Sequence, residues 1–355
     1  MKISTIICRN AARINFSNSL RTHVFVILLF TFIITPGIVA QKFIDIKNFD
    51  LSVKPTDDFY EYANGGWMKN TPIPPDQSRW SSGGEIQERN YALLKNILES
   101  AAMNTSASKG SIVQKVGDFY YTGMDTNTIE SQGATPLEEE FKTIQAITTT
   151  GQLIDEISNF HLTGAGLPFE FDARQDFKNS SQVIAQLYQG GLGLPDRDYY
   201  IKEDAQTKDI REKYAKHIAN MFKLRGENEE TASVDAKTVV DFETRLAKAS
   251  MTQVEQRNLE AVYNILTLDE LQKSTPNIPW GKFFSNIGLS HPGKLNVGQP
   301  KFLQEVNAMV NDVPLNDWKT YLRWHLINET AEYLSSAFVN EHFDFFGKTL
   351  TGQKS

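Results

Sequence analysis

The spacing of apolar residues is helical along most of this chain, and this spacing limits the fold more than any other feature. Apolar side chains recur at every third or fourth position in residues 86–102, 205–224 and 231–250. Such spacing places them on one face of a helix, which is normally buried against another element. The same pattern returns in residues 111–120, 136–146, 151–162, 267–273, 300–311, 314–328 and 331–346. We therefore predict a mainly α-helical protein whose apolar stripes form the core.

One region follows a different period. Apolar and other residues alternate in residues 169–173 and again in residues 183–187, with the polar run 178–181 between them. Alternation of this kind around a polar turn predicts one β-hairpin. Nearer the amino terminus, Thr56 or Asp57 is predicted to cap a helix, and the Gly65-Gly66 pair is expected to weaken its end.

The first forty residues have the order of a secretory signal peptide. Four basic residues and no acidic ones precede or begin an apolar run at 24–34, and Ile38-Val39-Ala40 follows. This order predicts a signal peptide at 1–40 that is cleaved after Ala40, with a retained signal anchor as the alternative. We then expect a short approach segment at 41–56 and a helical domain at 57–355.

Charge and cysteine content indicate an exported protein that does not bind nucleic acid. The net charge is −7, and removal of the basic leader would make the body more acidic, whereas a phosphate backbone requires clustered positive charge. A membrane is expected as a partner only if the leader is retained. The single cysteine, Cys8, lies in the leader. A body without thiols fits a periplasmic or extracellular bacterial protein that is stabilised by its core.

Four blocks, in order, resemble the neprilysin and endothelin-converting-enzyme family of zinc metallopeptidases. The blocks are residues 57–67 with Ser78-Arg79-Trp80, residues 191–200, residues 243–249 with 255–258, and residues 321–326. The resemblance spans nearly all of the body and is closest to the bacterial branch. It implies a mainly α-helical, two-lobed peptidase that cleaves peptides in an internal chamber, and it implies that this chain supplies the amino-terminal, cap-type lobe.

The same resemblance implies that zinc binds elsewhere in the full-length family member. The family uses a His-Glu-x-x-His helix, in which spacing four places both imidazoles on one face. No histidine of this chain has another histidine four residues on; the six are His23, His161, His217, His291, His325 and His342. We therefore expect no catalytic residue and no metal ligand here, and we expect the chain to continue into a carboxyl-terminal catalytic lobe that is its partner.

Two residues are candidates for substrate binding. The resemblance places Arg79 where the family has an arginine that pairs with a peptide's terminal carboxylate, a task that suits a guanidinium fork. Gln87 stands where the second arginine of that subsite is expected, which puts carboxylate capture in doubt. A structural ion pair is the alternative role of Arg79. For the whole chain, the alternative to a peptidase part is an exported, metal-free helical protein that binds peptides or a partner.

Overall fold

The computed structural model describes residues 44–354, so the predicted signal peptide lies outside the described residues. The chain divides into two compact units at Pro72 and Ile73. The domain boundary that the sequence suggests at residue 57 stays a prediction. Within residues 44–354, no helix is both long enough and apolar enough to cross a membrane.

The first unit is built around helix α1 (Phe59–Asn70). Asp58 caps this helix by accepting a hydrogen bond from the Glu61 amide at 2.9 Å, so the prediction of Thr56 or Asp57 as the cap is wrong by one or two residues. The helix also continues through its two glycines. A Cβ atom at Gly66 would lie 2.4 Å from the Lys47 carbonyl oxygen, so glycine is required where the preceding segment crosses the helix.

The second unit is mainly helical, which confirms the predicted fold class. Its α-helices are α2 (Ser82–Ala102), α3 (Ile112–Gly123), α4 (Thr126–Gln132), α5 (Glu138–Gln145), α6 (Thr150–Thr163), α7 (Asp198–Ile201), α8 (Ala205–Leu224), α9 (Glu229–Ala249), α10 (Leu268–Ser274), α11 (Trp280–Asn286), α12 (Pro300–Asp312), α13 (Leu315–Thr330) and α14 (Ser336–His342). A π-helix (Phe343–Leu350) follows α14.

The predicted hairpin is confirmed, and it forms half of a four-stranded sheet. Strands β1 (Phe169–Asp176) and β2 (Asn179–Gln189) pair in antiparallel fashion. Two shorter strands, β3 (Ile265–Thr267) and β4 (Lys294–Val297), complete the order β1-β2-β4-β3, with β4 parallel to β2 and antiparallel to β3. The sequence reasoning missed these two strands.

Helices α9 and α13 connect two buried clusters of apolar side chains. Phe242 of α9 and Trp318 of α13 lie in the cluster that covers one face of the sheet. Val239 of α9 and Trp324 of α13 lie in the cluster formed with α5, α8 and the π-helix. Because each helix is apolar on two faces, the pair fixes the position of the elements on both sides.

The apolar stripes of α2 and α3 are not part of the core, so the prediction that all stripes form core is wrong for these two helices. Leu93 on α2 is 60% exposed and Phe119 on α3 is 82% exposed. The helices pack against each other, and neither makes an extensive contact with another element among the described residues. Within residues 44–354, their apolar faces therefore lie open.

Candidate functional site

The two predicted substrate-binding residues lie near the start of α2. Arg79 is exposed in the extended segment before the helix and makes no hydrogen bond or ion pair with any residue of 44–354. Gln87 is exposed within α2, where its amide nitrogen donates to the Tyr91 hydroxyl. No contact joins Arg79 to Gln87. Their role in substrate binding stays a prediction, and the alternative of a structural ion pair finds no partner for Arg79 in the described part of the chain.

The described histidines do not form a cluster with the ligands of a zinc site, although the rings of His217 and His342 lie 6.4 Å apart. His161 packs between two phenylalanine rings. His217 Nδ1 lies 3.0 Å from a carboxylate oxygen of Glu341, and His325 Nε2 lies 3.0 Å from one of Glu243 without forming a hydrogen bond. Within residues 44–354, no three side chains of the kinds that ligate metals come together.

A buried carboxylate lies between the helices and the block at residues 191–200. Glu243 of α9 is fully buried. It accepts a hydrogen bond from the Tyr200 hydroxyl at 2.7 Å and one from the Tyr214 hydroxyl of α8 at 3.0 Å. The Tyr200 oxygen in turn accepts from the Leu194 amide at 2.8 Å, and Trp324 donates to the Tyr214 oxygen at 3.0 Å. One carboxylate therefore ties this block to α8, α9 and α13.

The ionisation of these two tyrosines supports their role as donors. Burial raises the pKa of Tyr200 and the pKa of Tyr214 well above 10, and the adjacent carboxylate raises both further. Both hydroxyls therefore keep their protons. A Cβ atom at Gly193 would lie 1.9 Å from the Tyr214 hydroxyl, so this block needs glycine for a close approach to the network. The sequence identified this block and the block at 243–249 that begins with Glu243, but it gave no sign that the two are in contact.

Hydrogen bonds within the protein hold the charged turn at residues 196–198. Asp196 accepts a hydrogen bond from the Asp198 amide at 2.8 Å and another from the Gln253 side chain at 3.1 Å. The Arg197 guanidinium donates to the Ala247 carbonyl oxygen at the end of α9. Side-chain hydrogen bonds of this kind fix turns. The Asp198 carboxylate pairs with Lys202 at 2.8 Å, so each charged residue of this turn has a partner in the protein.

Helices α2 and α3 enclose a groove of about 490 Å³. Five of its eight lining residues are apolar, and the groove continues into the exposed stripes of both helices. Its lining residues are Asn96, Ile97, Ser100, Ala101, Asn104, Ile112, Val113 and Val116. An open apolar surface of this extent is typical of a contact with another protein segment.

The chain belongs to Peptidase family M13, and the match to this family covers residues 55–355. It is 31% identical to an endothelin-converting enzyme homolog of Locusta migratoria over 86% of this chain and 44% of that protein. It is 30% identical to endothelin-converting enzyme 1 of Mus musculus over 82% of this chain and 39% of that protein. The resemblance that the four blocks indicate is thereby confirmed.

The chain is also similar to solved structures of metalloproteases. The chain superposes on the Mycobacterium tuberculosis zinc metalloprotease Zmp1, solved in complex with an inhibitor, with a TM-score of 0.80 and 30% identity. That match covers 88% of this chain and 48% of Zmp1. PepO from Lactobacillus rhamnosis, at 19% identity and a TM-score of 0.68, shares the fold. The chain thus spans less than half the length of each of these relatives.

Proposed function

We propose that this chain is the amino-terminal, non-catalytic part of an exported zinc metalloendopeptidase that cleaves peptides. The observation that carries the proposal is the coverage: 82–86% of this chain aligns to endothelin-converting enzymes, yet the alignment takes in only 39–44% of their length. Activity then depends on the part of the family chain that lies beyond the aligned region.

The roles proposed for the two parts of the protein follow from the chemistry of peptide hydrolysis by zinc. Hydrolysis of a peptide bond by zinc needs three protein ligands, a metal-bound water and a carboxylate that takes up its proton. Residues 44–354 bring no such set of ligands together. In the proposal they form part of the wall of a peptide-binding chamber, Arg79 faces a peptide carboxylate, and the rest of the family chain supplies the zinc and the attacking water.

The open apolar faces of α2 and α3 support this arrangement. In the proposal these faces pack against the carboxyl-terminal catalytic lobe, which would remove large side chains such as Leu93 and Phe119 from water. The leader at 1–40 would direct the protein to the periplasm or the outside of the cell. A peptidase that cleaves peptides in that location does not need to bind nucleic acid.

The experiment expresses residues 41–355 with and without the carboxyl-terminal lobe encoded downstream. We expect hydrolysis of a fluorogenic peptide from the two parts together, loss of that hydrolysis with a zinc chelator, and none from residues 41–355 alone. Hydrolysis by this chain alone, or a downstream reading frame without His-Glu-x-x-His, would contradict the proposal. A gene that encodes no second lobe, together with peptide binding that needs no zinc, would favour the alternative, a metal-free binding protein.

Matched surface variants test the interface. The double substitution Leu93→Ser and Phe119→Ser should weaken co-purification of the two parts at least about tenfold, which corresponds to roughly 1.4 kcal/mol. It should change the unfolding free energy of this chain by less than about 1 kcal/mol, because both side chains are already exposed. Val234→Ser on α9, where the valine is 60% exposed, is the control and should leave co-purification unchanged.

A further inference from the structure

The sheet has a second face, which carries polar side chains and borders a cavity. Phe169 and Phe171 of β1 turn to the apolar core, so the alternate residues Glu170 and Asp172 turn the other way. Glu170 lies opposite Tyr188 of β2 in the pairing register. A cavity of about 380 Å³ lies on this side and is also lined by residues from the loop after α9 and from the start of α12. Its volume is within the usual range for small-ligand sites.

A buried amide group at this cavity lacks a partner. Gln299 lines the cavity and is only 3% exposed. Its side-chain oxygen accepts a hydrogen bond from the Gln189 amide at 2.9 Å, and because a backbone N–H only donates, this bond fixes which end of the side-chain amide is the oxygen. The nitrogen Nε2 is left without an acceptor among residues 44–354. A buried donor without a partner costs about 1–3 kcal/mol, so an acceptor at this nitrogen would be stabilising.

The carboxylates of the cavity call for positive charge. Asp172 pairs with Arg174 through one oxygen, while its other oxygen, Oδ1, is buried without a partner. The Glu170 carboxylate accepts no hydrogen bond and forms no ion pair within residues 44–354. Glu170 is exposed, yet partial loss of water around its carboxylate raises its pKa, the charges of Asp172 and Glu329 raise it further, and Arg174 lowers it. A cation beside this carboxylate would also lower its pKa.

The remaining lining limits the kind of cation. The cavity has one carboxylate more than it has guanidinium groups, so it matches a single positive charge. Leu259, Val262 and the ring of Tyr188 supply apolar surface that suits an aliphatic stem. A divalent metal is disfavoured because no third ligating residue joins the two carboxylates. An anion would lie against Glu170 and Asp172.

We propose that this cavity binds a basic side chain of a peptide, with the ammonium or guanidinium group beside the carboxylates of Glu170 and Asp172 and a carbonyl oxygen of the same peptide beside the side-chain amide of Gln299. The inference rests on the proposed function in that peptides are its ligands, and it adds a preference for lysine or arginine. It places this preference on the sheet, at a site different from that of Arg79.

The test measures binding to residues 41–355 by calorimetry without zinc. The probes are acetyl-Gly-Lys-Gly-amide and the same peptide with norleucine, which keeps the stem and removes the charge. We expect the lysine peptide to bind at least about tenfold more tightly, because charge-assisted hydrogen bonds are roughly twice as strong as neutral ones. Equal affinity of the two peptides, or no detectable binding of the lysine peptide, would overturn the proposal without the need for any variant.

Variants then assign the site. Glu170→Gln should remove most of the preference for lysine, and Gly166→Ala should do the same, because a Cβ atom there would lie 2.2 Å from the Glu170 carboxylate and displace it. Glu212→Gln, at an exposed carboxylate on α8, should leave the preference intact. A preference for lysine that survives both site variants would place binding elsewhere. Since no hydrolysis is measured, failure of the peptidase proposal leaves this result unaffected, and the reverse also holds.

Discussion

Replacement of Tyr200 by phenylalanine tests whether the buried carboxylate of Glu243 holds the block at 191–200 in place. The substitution keeps the ring and removes a single oxygen atom. That oxygen donates to Glu243 at 2.7 Å and accepts from the Leu194 amide at 2.8 Å. Both hydrogen bonds are buried, so water does not replace them readily. The fold should survive, because the aromatic packing around the ring is unchanged.

The expected loss of stability follows from these two bonds. A hydrogen bond to a charged group contributes about 1.5–3 kcal/mol, and a buried amide left without its acceptor costs about 1–3 kcal/mol. The Tyr214 hydroxyl still donates to Glu243, which limits the total. We expect Tyr200→Phe to lower the free energy of unfolding by about 3 kcal/mol, which is large compared with the marginal stability of folded proteins.

Urea denaturation followed by circular dichroism measures this loss. Tyr333→Phe is the matched control, because Tyr333 is 78% exposed and its substitution should change stability by less than about 0.5 kcal/mol. A loss below about 1 kcal/mol for Tyr200→Phe, with the control unchanged, would refute the assignment of Glu243 as the tie between the block and the helices. An equal loss in both variants would show a general effect of removing tyrosine hydroxyls.

Three further experiments test other parts of the structure. Burial lowers the pKa of His161 to about 4, so as pH falls below about 6.5 the histidine is protonated in the unfolded chain before it is protonated in the folded one, and the folded state loses stability. His161→Gln should therefore reduce the fall in unfolding free energy between about pH 6.5 and 4 by roughly 3 kcal/mol. Parallel curves of unfolding free energy against pH for the variant and the unchanged protein would count against this prediction. Gly66→Ala should destabilise the first unit by at least about 2 kcal/mol, because the new Cβ atom would meet a carbonyl oxygen. Gly281→Ala is the control: its Cβ atom would have no other atom within 4 Å, and the variant should be more stable by up to about 1 kcal/mol. Thermal unfolding measures both changes. In the assembled peptidase, Arg79→Gln should raise KM several-fold for peptides with a free carboxylate and leave amidated peptides unchanged, with Arg89→Gln as the control; an equal effect on both kinds of peptide would exclude carboxylate capture.

The long helices were predictable because local periodicity specifies them. The apolar spacing predicts a helix at 205–224, and α8 spans the same residues. The prediction for 300–311 differs from α12 by one residue at its end. In these elements the apolar face, the start signal (the Asp204 cap of α8 and Pro300 at the start of α12) and the propensity all indicate the same structure, so tertiary contacts add stability without changing the boundaries.

Short elements were missed because their partners are distant in sequence. Strand β4 has four residues, and its pairing with Leu187 and Ala185 of β2 spans more than 100 residues of chain. Helix α11 has seven residues, and three of them are aromatic side chains buried by the surrounding elements. Segments this short have no periodicity that distinguishes strand from helix, so only the assembled core determines their structure.

The openness of α2 and α3 was hidden from the sequence for a different reason. Periodicity shows that a helix has an apolar face, but it does not show whether the partner of that face belongs to the same chain. The stripe of α2 has the same spacing as that of α8, yet its residue Leu93 is 60% exposed while Ile218 of α8 is fully buried. In the proposed function this difference arises because the face of α2 packs against the second lobe, which is the reason that surface variants on α2 and α3 test that proposal directly.

The polar cavity could not be predicted for both reasons: its residues are distant in sequence, and the pattern of a strand does not show what covers its faces. Alternation along β1 predicts that Glu170 and Asp172 share a face, and the usual interpretation of such a face is exposure to water. The loop that contains Leu259 and the side chain of Gln299 also lines this face, so two carboxylates and an amide come together at a partly enclosed cavity. A sheet face that contacts only water does not require a buried side-chain amide that lacks an acceptor within residues 44–354. The unpaired Nε2 of Gln299 therefore separates a ligand site from a solvated sheet surface, and the lysine and norleucine peptides test that distinction.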